Sequence, residues 1–332
     1  MESKRQKVVV AILYNENRDR ILVSRRDDAK HQGGVWEFPG GKADTGETDW
    51  QALSRELHEE LGITAVSGRY YRTVDYDYGE IKLSIRVWFV DVWTGIAAGK
   101  EAQPVNWIDI SSLHELRFPP ANAKIISMLR LPRLYLITPD LLEYGDEFYK
   151  SVTEYLECGV RLLQFRNPSC EISRHEPVLE KLQGLCQQYD CTLMYNGKPE
   201  HAARLGIRGI HLNSRRLMSL RRRPLTEAYW ISTSCHNIQE LKHAENLSLD
   251  FCVVSPVKKT ASHPDADPMG WDEFKTLTSK TGLPVYALGG MRSDDLRDAL
   301  TRGAHGLAMI SGVWNSANAC KEIKKILNYP AS

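Results

Sequence analysis

The chain has 332 residues, with 43 Lys and Arg against 42 Asp and Glu and a formal net charge of +1 at pH 7. At roughly 100–200 residues per domain this length predicts two compact domains, and the charge is even along it: 18 basic against 19 acidic residues through position 130, then 25 against 23. No basic tract suited to a nucleic-acid polymer is present, and the longest apolar run, residues 8–14, is too short to span a membrane and lacks a secretory cleavage site, so a soluble, cytoplasmic protein is expected.

Segments 7–14 and 20–26 are β-branched runs around the polar stretch Asn15-Glu16-Asn17-Arg18-Asp19, a pattern that predicts a hairpin. Segments 70–78 and 81–93 predict a second pair around Gly79-Glu80. A helix is predicted between them. Thr48 suits its N-cap, Gln51 completes a capping box, Trp50, Leu53, Leu57 and Leu61 form an apolar stripe, and Gly62 stands where a C-terminal cap belongs. The first region, residues 1–131, is therefore expected to be α+β, closing with a helix over 121–131 before Pro132 breaks the chain.

From residue 134 short apolar strands alternate with helical stretches: 134–138, 160–166, 192–195, 209–212, 230–233, 251–255, 285–288 and 306–310. Eight such units over residues 132–332 predict a compact α/β (β/α)8 barrel. All seven cysteines lie at or beyond Cys158, in odd number and without a Cys-x-x-Cys pair, which predicts reduced thiols rather than a disulfide frame or a zinc site.

Glu56, Glu59 and Glu60 stand three and four positions apart, so on a helix they share one face and repel. A hard divalent cation repays that repulsion, since Mg²⁺ takes oxygen ligands and bridges carboxylates to substrate phosphates. A solvated acidic face is the plainer alternative. Pro39-Gly40-Gly41 lets the backbone come close to a ligand, and Glu47 can hold that loop against Arg55.

Gly41, five residues, Glu47, seven residues, then Arg55-Glu56-Leu57-His58-Glu59-Glu60-Leu61-Gly62-Ile63 resembles the Nudix box at every defining position. Over residues 5–131 the chain looks closest to MutT-type 8-oxo-dGTP diphosphatases, through Ser24-Arg25-Arg26, residues 36–42, residues 99–104 and Phe118-Pro119-Pro120-Ala121-Asn122. The resemblance implies a mixed sheet between helices, with Mg²⁺ (or Mn²⁺) held by Glu56, Glu59, Glu60 and the Gly40 carbonyl. Glu101 would be a further ligand or the base that activates water, and Glu56 and Glu59 would share in catalysis. It further implies hydrolysis of a nucleoside triphosphate to the monophosphate and pyrophosphate, sanitising the nucleotide pool.

Arg26, His31, Glu37, Phe38, Gly41, Lys42 and Asn122 would bind the substrate by the same resemblance. Lys42 and Arg26 would assist phosphates or base, with a solvated surface charge as the alternative; Phe38 has core packing as its own. Guanine presents acceptors at N7 and O6, and oxidation at C8 puts a proton on N7. An Asn amide has one donor side and one acceptor, so Asn122 would match O6 and N7–H together and leave a group unpaired with normal guanine. A cap on the following helix is the competing reading of Asn122.

The barrel segment resembles the thiamine phosphate synthase and TenI superfamily through Gln164-Phe165-Arg166, Tyr195-Asn196-Gly197, Gly209-Ile210-His211-Leu212, Ser234-Cys235-His236, Ser255-Pro256-Val257, Ala287-Leu288-Gly289-Gly290 and Met309-Ile310-Ser311-Gly312. A candidate ligand site of Gln164, Arg166, Asn196, His236, Gly290, Ser311 and Gly312 follows. Two Mg²⁺ carboxylates of the synthase pattern are absent, at Gly197 and within Asn213-Ser214-Arg215-Arg216, and the Lys expected after strand six is His263. The expectation is therefore a barrel without synthase activity that binds a phosphorylated thiazole or thiamine-type ligand. His236 is the candidate proton shuttle, with a satisfied core histidine as the alternative. Two further readings stay open: hydrolysis of a thiamine-pathway pyrophosphate coupled to a thiazole tautomerase barrel, and a barrel that is a non-catalytic binding module.

Overall fold

The computed structural model describes residues 5–16, 19–26, 34–79, 81–101, 103–169, 174–226, 228–260 and 267–329. The chain divides into two compact units, Met1–Arg130 and Leu131–Ser332. His31 and His263 lie outside the described residues. No helix among those described is long and apolar enough to cross a membrane.

In the first unit β1 (Gln6–Leu13) is buried on both faces, which decides the layering. Val9, Ala11 and Leu13 pack with Ala52, Leu53, Leu57 and Leu61 of α1 (Asp49–Leu61), whereas Val10 and Ile12 pack with Ile125, Ile126 and Met128 of α2 (Ala123–Arg130). Period-two alternation thus serves two cores at once. A four-stranded mixed sheet runs β4-β1-β6-β5, with β4 spanning Gly40–Lys42, β5 Thr64–Asp77 and β6 Lys82–Thr94; β1 is parallel to β6 and antiparallel to β4. A three-stranded sheet runs β3-β2-β7, with β2 at Arg20–Arg25, β3 at Trp36–Glu37 and β7 at Val105–Asp109.

The expected hairpin of the first two strands is corrected here. Asn15 Oδ1 accepts from the amides of Asp19 and Arg20, and one bridge, Tyr14 to Ile21, joins the strands before they part into different sheets. Burial on both faces draws β1 between β4 and β6 instead. The second pair is antiparallel, β5 with β6. Helix α1 has the predicted ends: Thr48 Oγ1 accepts from Gln51 N, Gln51 Oε1 accepts from Thr48 N, and Gly62 closes the helix at φ 69°.

The second unit is a closed all-parallel barrel in the order β10-β11-β12-β13-β14-β15-β8-β9. Its strands are β8 (Leu134–Ile137), β9 (Leu162–Phe165), β10 (Thr192–Asn196), β11 (Gly209–Leu212), β12 (Trp230–Cys235), β13 (Phe251–Val254), β14 (Val285–Ala287) and β15 (Gly306–Met309). Alternate side chains fill the inside, among them Tyr135, Ile137, Met194, Phe251, Val253 and Tyr286, while Leu134, Leu136, Leu163 and Ile210 pack outward under the helices.

The expectation of reduced thiols is also corrected. Cys158, at the end of α3 (Asp146–Glu157), forms a disulfide with Cys320 of the helix Ala319–Leu327, with Cα atoms 5.7 Å apart across 162 residues of sequence. Barrel closure brings these positions together, and no local spacing encodes that. Cys186, Cys191, Cys235 and Cys252 are buried free thiols.

Candidate functional site

Two groups of polar side chains stand out, one in each unit. In the first, the helix rule places Glu56, Glu59 and Glu60 along one side of α1, facing the strand β4 loop. Gly40 has φ 140°, a conformation that glycine alone adopts readily, and a Cβ there would strike the Val9 carbonyl. Its N–H donates to Glu60 Oε2 at 3.1 Å. A Cβ at Gly41 would meet the Glu56 carboxylate, so the backbone there lies directly against the acidic side of α1.

Arg55 organises this edge. Its guanidinium donates to Glu47 Oε1 and Oε2 at 2.9 and 3.0 Å, to Glu56 Oε1 at 3.0 Å, to Glu59 Oε2 at 3.1 Å and to the Lys42 carbonyl at 3.0 Å. Arg55 holds the Glu47 carboxyl down at about 2, and the Asp44 N–H adds to the effect. Glu60 behaves in the opposite sense. Burial pushes its carboxyl up to about 7 against the Gly40 N–H, and the charges of Glu37, Glu56 and Glu101 push the same way. Burial also raises Glu56, despite Arg55.

Such a group of hard oxygen donors, one half-buried and short of positive charge, fits a divalent cation of the magnesium type. Glu101 reaches the same neighbourhood through a residue that sequence reasoning missed. Gln103 Nε2 donates to the Glu60 carbonyl at 3.0 Å and Gln103 Oε1 accepts from Glu101 N at 2.8 Å, tying that loop to the end of α1. Gln103 falls within the motif stretch 99–104, but nothing local in the sequence marks it as a clamp.

The other substrate candidates separate. Arg26 is half-buried with its Nε 3.4 Å from Glu37 Oε2. Phe38 is buried and stacks on Phe118 at 5.4 Å between ring centroids, which is a packing role. Lys42 is exposed. Asn122 is buried, closes the short 3-10 turn Pro120–Asn122, and its side-chain amide makes no hydrogen bond to any described residue, so it does not cap α2.

In the second unit a cavity of about 440 Å³ opens at the C-terminal ends of the strands. Gln164, Arg166, Asn196, His236, Gly290 and Ser311 all line it, as do His211, Ser234 and Ser255; Gly312 does not, being packed on the Met291 backbone. His236 is exposed at the rim rather than in the core, and its Nδ1 lies 2.6 Å from the Ser255 carbonyl. A carbonyl only accepts, so Nδ1 donates to it, and Nε2 makes no hydrogen bond to a described residue.

His211, absent from the expected set, is fully buried beneath this floor. Its Nδ1 is 2.8 Å from Ser232 Oγ and its Nε2 2.9 Å from Ser234 Oγ. Burial lowers its pKa to about 3, and the charges of Arg166 and Arg216 act in the same direction. Gln164 donates to the Tyr135 hydroxyl at 2.8 Å and accepts from Asn196 at 3.0 Å, so the floor is one connected polar layer.

Comparison with known proteins places both units. The family described as Thiamine monophosphate synthase matches residues 134–313, and the NUDIX domain matches residues 9–128. The chain is 31% identical over 183 residues to the putative thiamine-phosphate synthase 2 of Aquifex aeolicus (strain VF5), covering 55% of this chain and 98% of that protein. It is 38% identical over 127 residues to the 8-oxo-dGTP diphosphatase of Escherichia coli (strain K12), covering 38% of this chain and 98% of that protein. The protein of the same description from Haemophilus influenzae is 38% identical over 129 residues, covering 39% of this chain and 94% of that protein.

Proposed function

Since the chain belongs to the Nudix family through residues 9–128 and to the thiamine monophosphate synthase family through residues 134–313, we propose that its hydrolase unit converts 8-oxo-dGTP to the monophosphate and pyrophosphate with Mg²⁺. The observation that carries this reading is Glu60, a half-buried carboxylate crowded by Glu37, Glu56 and Glu101 with one backbone N–H to offset it. Glu56, Glu59, Glu60 and the Gly40 carbonyl would hold the ion, with Mn²⁺ as a substitute. When bound, it lowers the pKa of water and offsets charge on the triphosphate.

The chain's own residues do the rest. Arg55 fixes the rotamers of Glu56 and Glu59 and, through Glu47, the loop 40–47. Gln103 holds Glu101 where it serves as a ligand or as the base that takes the proton from water. The unengaged Asn122 amide donates to O6 and accepts from N7–H of the oxidised base. Arg26 and Lys42 assist phosphates or base.

The barrel, on this account, binds a small phosphorylated heterocycle of the thiazole or thiamine type and makes no thiamine phosphate. Two features support it. No Asp or Glu is among the described residues that line the cavity, and a side chain at Gly197 would collide with the Tyr195 ring. His236, with Nε2 available at the rim, favours proton transfer on such a ligand.

A nucleotide panel on the intact chain, with products identified, tests the hydrolase reading. Monophosphate and pyrophosphate from 8-oxo-dGTP support it; preference for a thiamine-type pyrophosphate turns it to the second reading. Calorimetry with thiazole phosphate, beside a coupled synthase assay, tests the barrel. Robust synthesis would contradict the account, and silence in both would leave a scaffold.

A further inference from the structure

The Cys158–Cys320 disulfide belongs to the outer shell of the barrel, and neither cysteine lines the cavity at the strand ends. Cys320 stands in the first turn of the helix Ala319–Leu327 and lines an open groove of about 600 Å³ together with Lys321, Lys324 and Lys325. Cys158 is not among the groove's lining residues, and neither is any described Asp or Glu. Lys325 is paired with Asp294 and Glu322, at 3.3 and 3.4 Å. Lys321 and Lys324 are exposed and form no ion pair with a described residue.

Disulfide exchange begins when a thiolate attacks one of the two sulfurs, and access decides which one. Here the sulfur open to the groove is that of Cys320. The Glu154 carboxylate, with Oε1 3.6 Å from Cys320 Sγ, opposes an approaching anion. Lys321 and Lys324 offset it, so a thiol that itself carries carboxylates gains from the groove, whereas a neutral thiol does not. The helix does not depend on the bond alone for its seat. Ala319, Ile323 and Ile326 are buried in the outer core, and Trp314, just before it, donates its indole N–H to the Ile137 carbonyl at 2.8 Å and stacks on Phe148 at 5.4 Å between centroids.

We propose that Cys158–Cys320 is a thiol-exchange site and that the lysine groove beside Cys320 seats a small anionic thiol of the glutathione type. The sulfur of the small thiolate bonds to Cys320 Sγ, the Cys158–Cys320 bond breaks, and its electron pair leaves on Cys158 Sγ, which takes up a proton from solvent. One disulfide is exchanged for another, so no further oxidant or reductant enters the step. The Cys158 thiolate reverses it by attacking Cys320 Sγ and expelling the small thiol. Exchange thus opens and recloses the covalent tie between α3 and the helix Ala319–Leu327 while buried side chains hold both in place.

The test incubates the full chain with glutathione in one arm and with neutral 2-mercaptoethanol in the other, stops each reaction with N-ethylmaleimide in denaturant, and maps the peptides by mass spectrometry. One glutathione on Cys320 is expected, with Cys158 alkylated as the released thiol. Replacing both Lys321→Gln and Lys324→Gln should slow exchange with glutathione about threefold to tenfold at low salt and leave the 2-mercaptoethanol rate unchanged. Glu154→Gln should speed the glutathione reaction by a similar factor. Unchanged circular dichroism verifies the fold of each variant. An adduct on Cys158, equal effects of the lysine replacements on both thiols, or exchange that occurs only after the chain is denatured overturns the proposal.

Discussion

The guanidinium of Arg55 grips both carboxylate oxygens of Glu47, at 2.9 and 3.0 Å, and its remaining hydrogens reach Glu56 and Glu59. One side chain thus connects the loop that carries Gly40 and Gly41 with the two carboxylates expected to hold metal. Arg55→Lys keeps the charge and cannot make the fork. Its kcat/KM should fall about tenfold to a hundredfold, the range that small misplacements cost. Steady-state kinetics checks this, and an unchanged rate would show that the loop is positioned by other contacts.

Glu60→Gln separates charge from shape. The amide oxygen still accepts from the Gly40 N–H, while the charge that would hold a cation is gone. Turnover should drop at least about a hundredfold, yet melting in EDTA should not fall, because a carboxylate raised by burial and like charges has been made neutral. Near wild-type turnover in the folded variant would refute the metal role.

His211 gives a pH signature. Its folded pKa of about 3 lies below the ordinary 6.5, because burial and two nearby guanidiniums disfavour the charged ring. The unfolded chain takes the proton first, so this stability is complete above about pH 6.5 and is lost as pH falls toward 3. Melting between pH 7.5 and 4 should decline more steeply in the wild type than in His211→Gln. Ring resonances that still report neutral imidazole at pH 5 are the matching spectroscopic result, and an imidazolium at that pH would contradict the assigned environment.

The acidic helix was legible because its signal is local. Glu56, Glu59 and Glu60 fall on one face by the period of the helix alone, and Thr48, Gln51 and Gly62 mark its ends by their own chemistry. The barrel was legible from its rhythm of short apolar strands. What escaped depends on partners far apart in the chain. The polar turn after β1 does bring Tyr14 to Ile21, but the choice between hairpin and two sheets is made by β4 and β6. Strands of two or three residues, such as Trp36–Glu37, have no period to detect. The pairing of Cys158 with Cys320 arises only when the barrel closes.

Asn122→Ala should alter choice more than speed. The amide makes no hydrogen bond within the described structure, so its removal leaves the fold intact and deletes one donor and one acceptor. Loss of about 1–3 kcal/mol of discrimination corresponds to a preference narrowed roughly fivefold to 150-fold, with kcat little changed. An unaltered substrate ratio would remove Asn122 from base recognition.

The central claim is a hydrolase that selects the oxidised base, and the most direct test places 8-oxo-dGTP and dGTP together in one reaction of the intact chain with Mg²⁺. The ratio of their kcat/KM values is read from the two monophosphates formed, with pyrophosphate identified as the other product. A ratio well above ten in favour of 8-oxo-dGTP is predicted, at about 1.4 kcal/mol per tenfold. A ratio near one, or release of inorganic phosphate in place of pyrophosphate, would contradict the account.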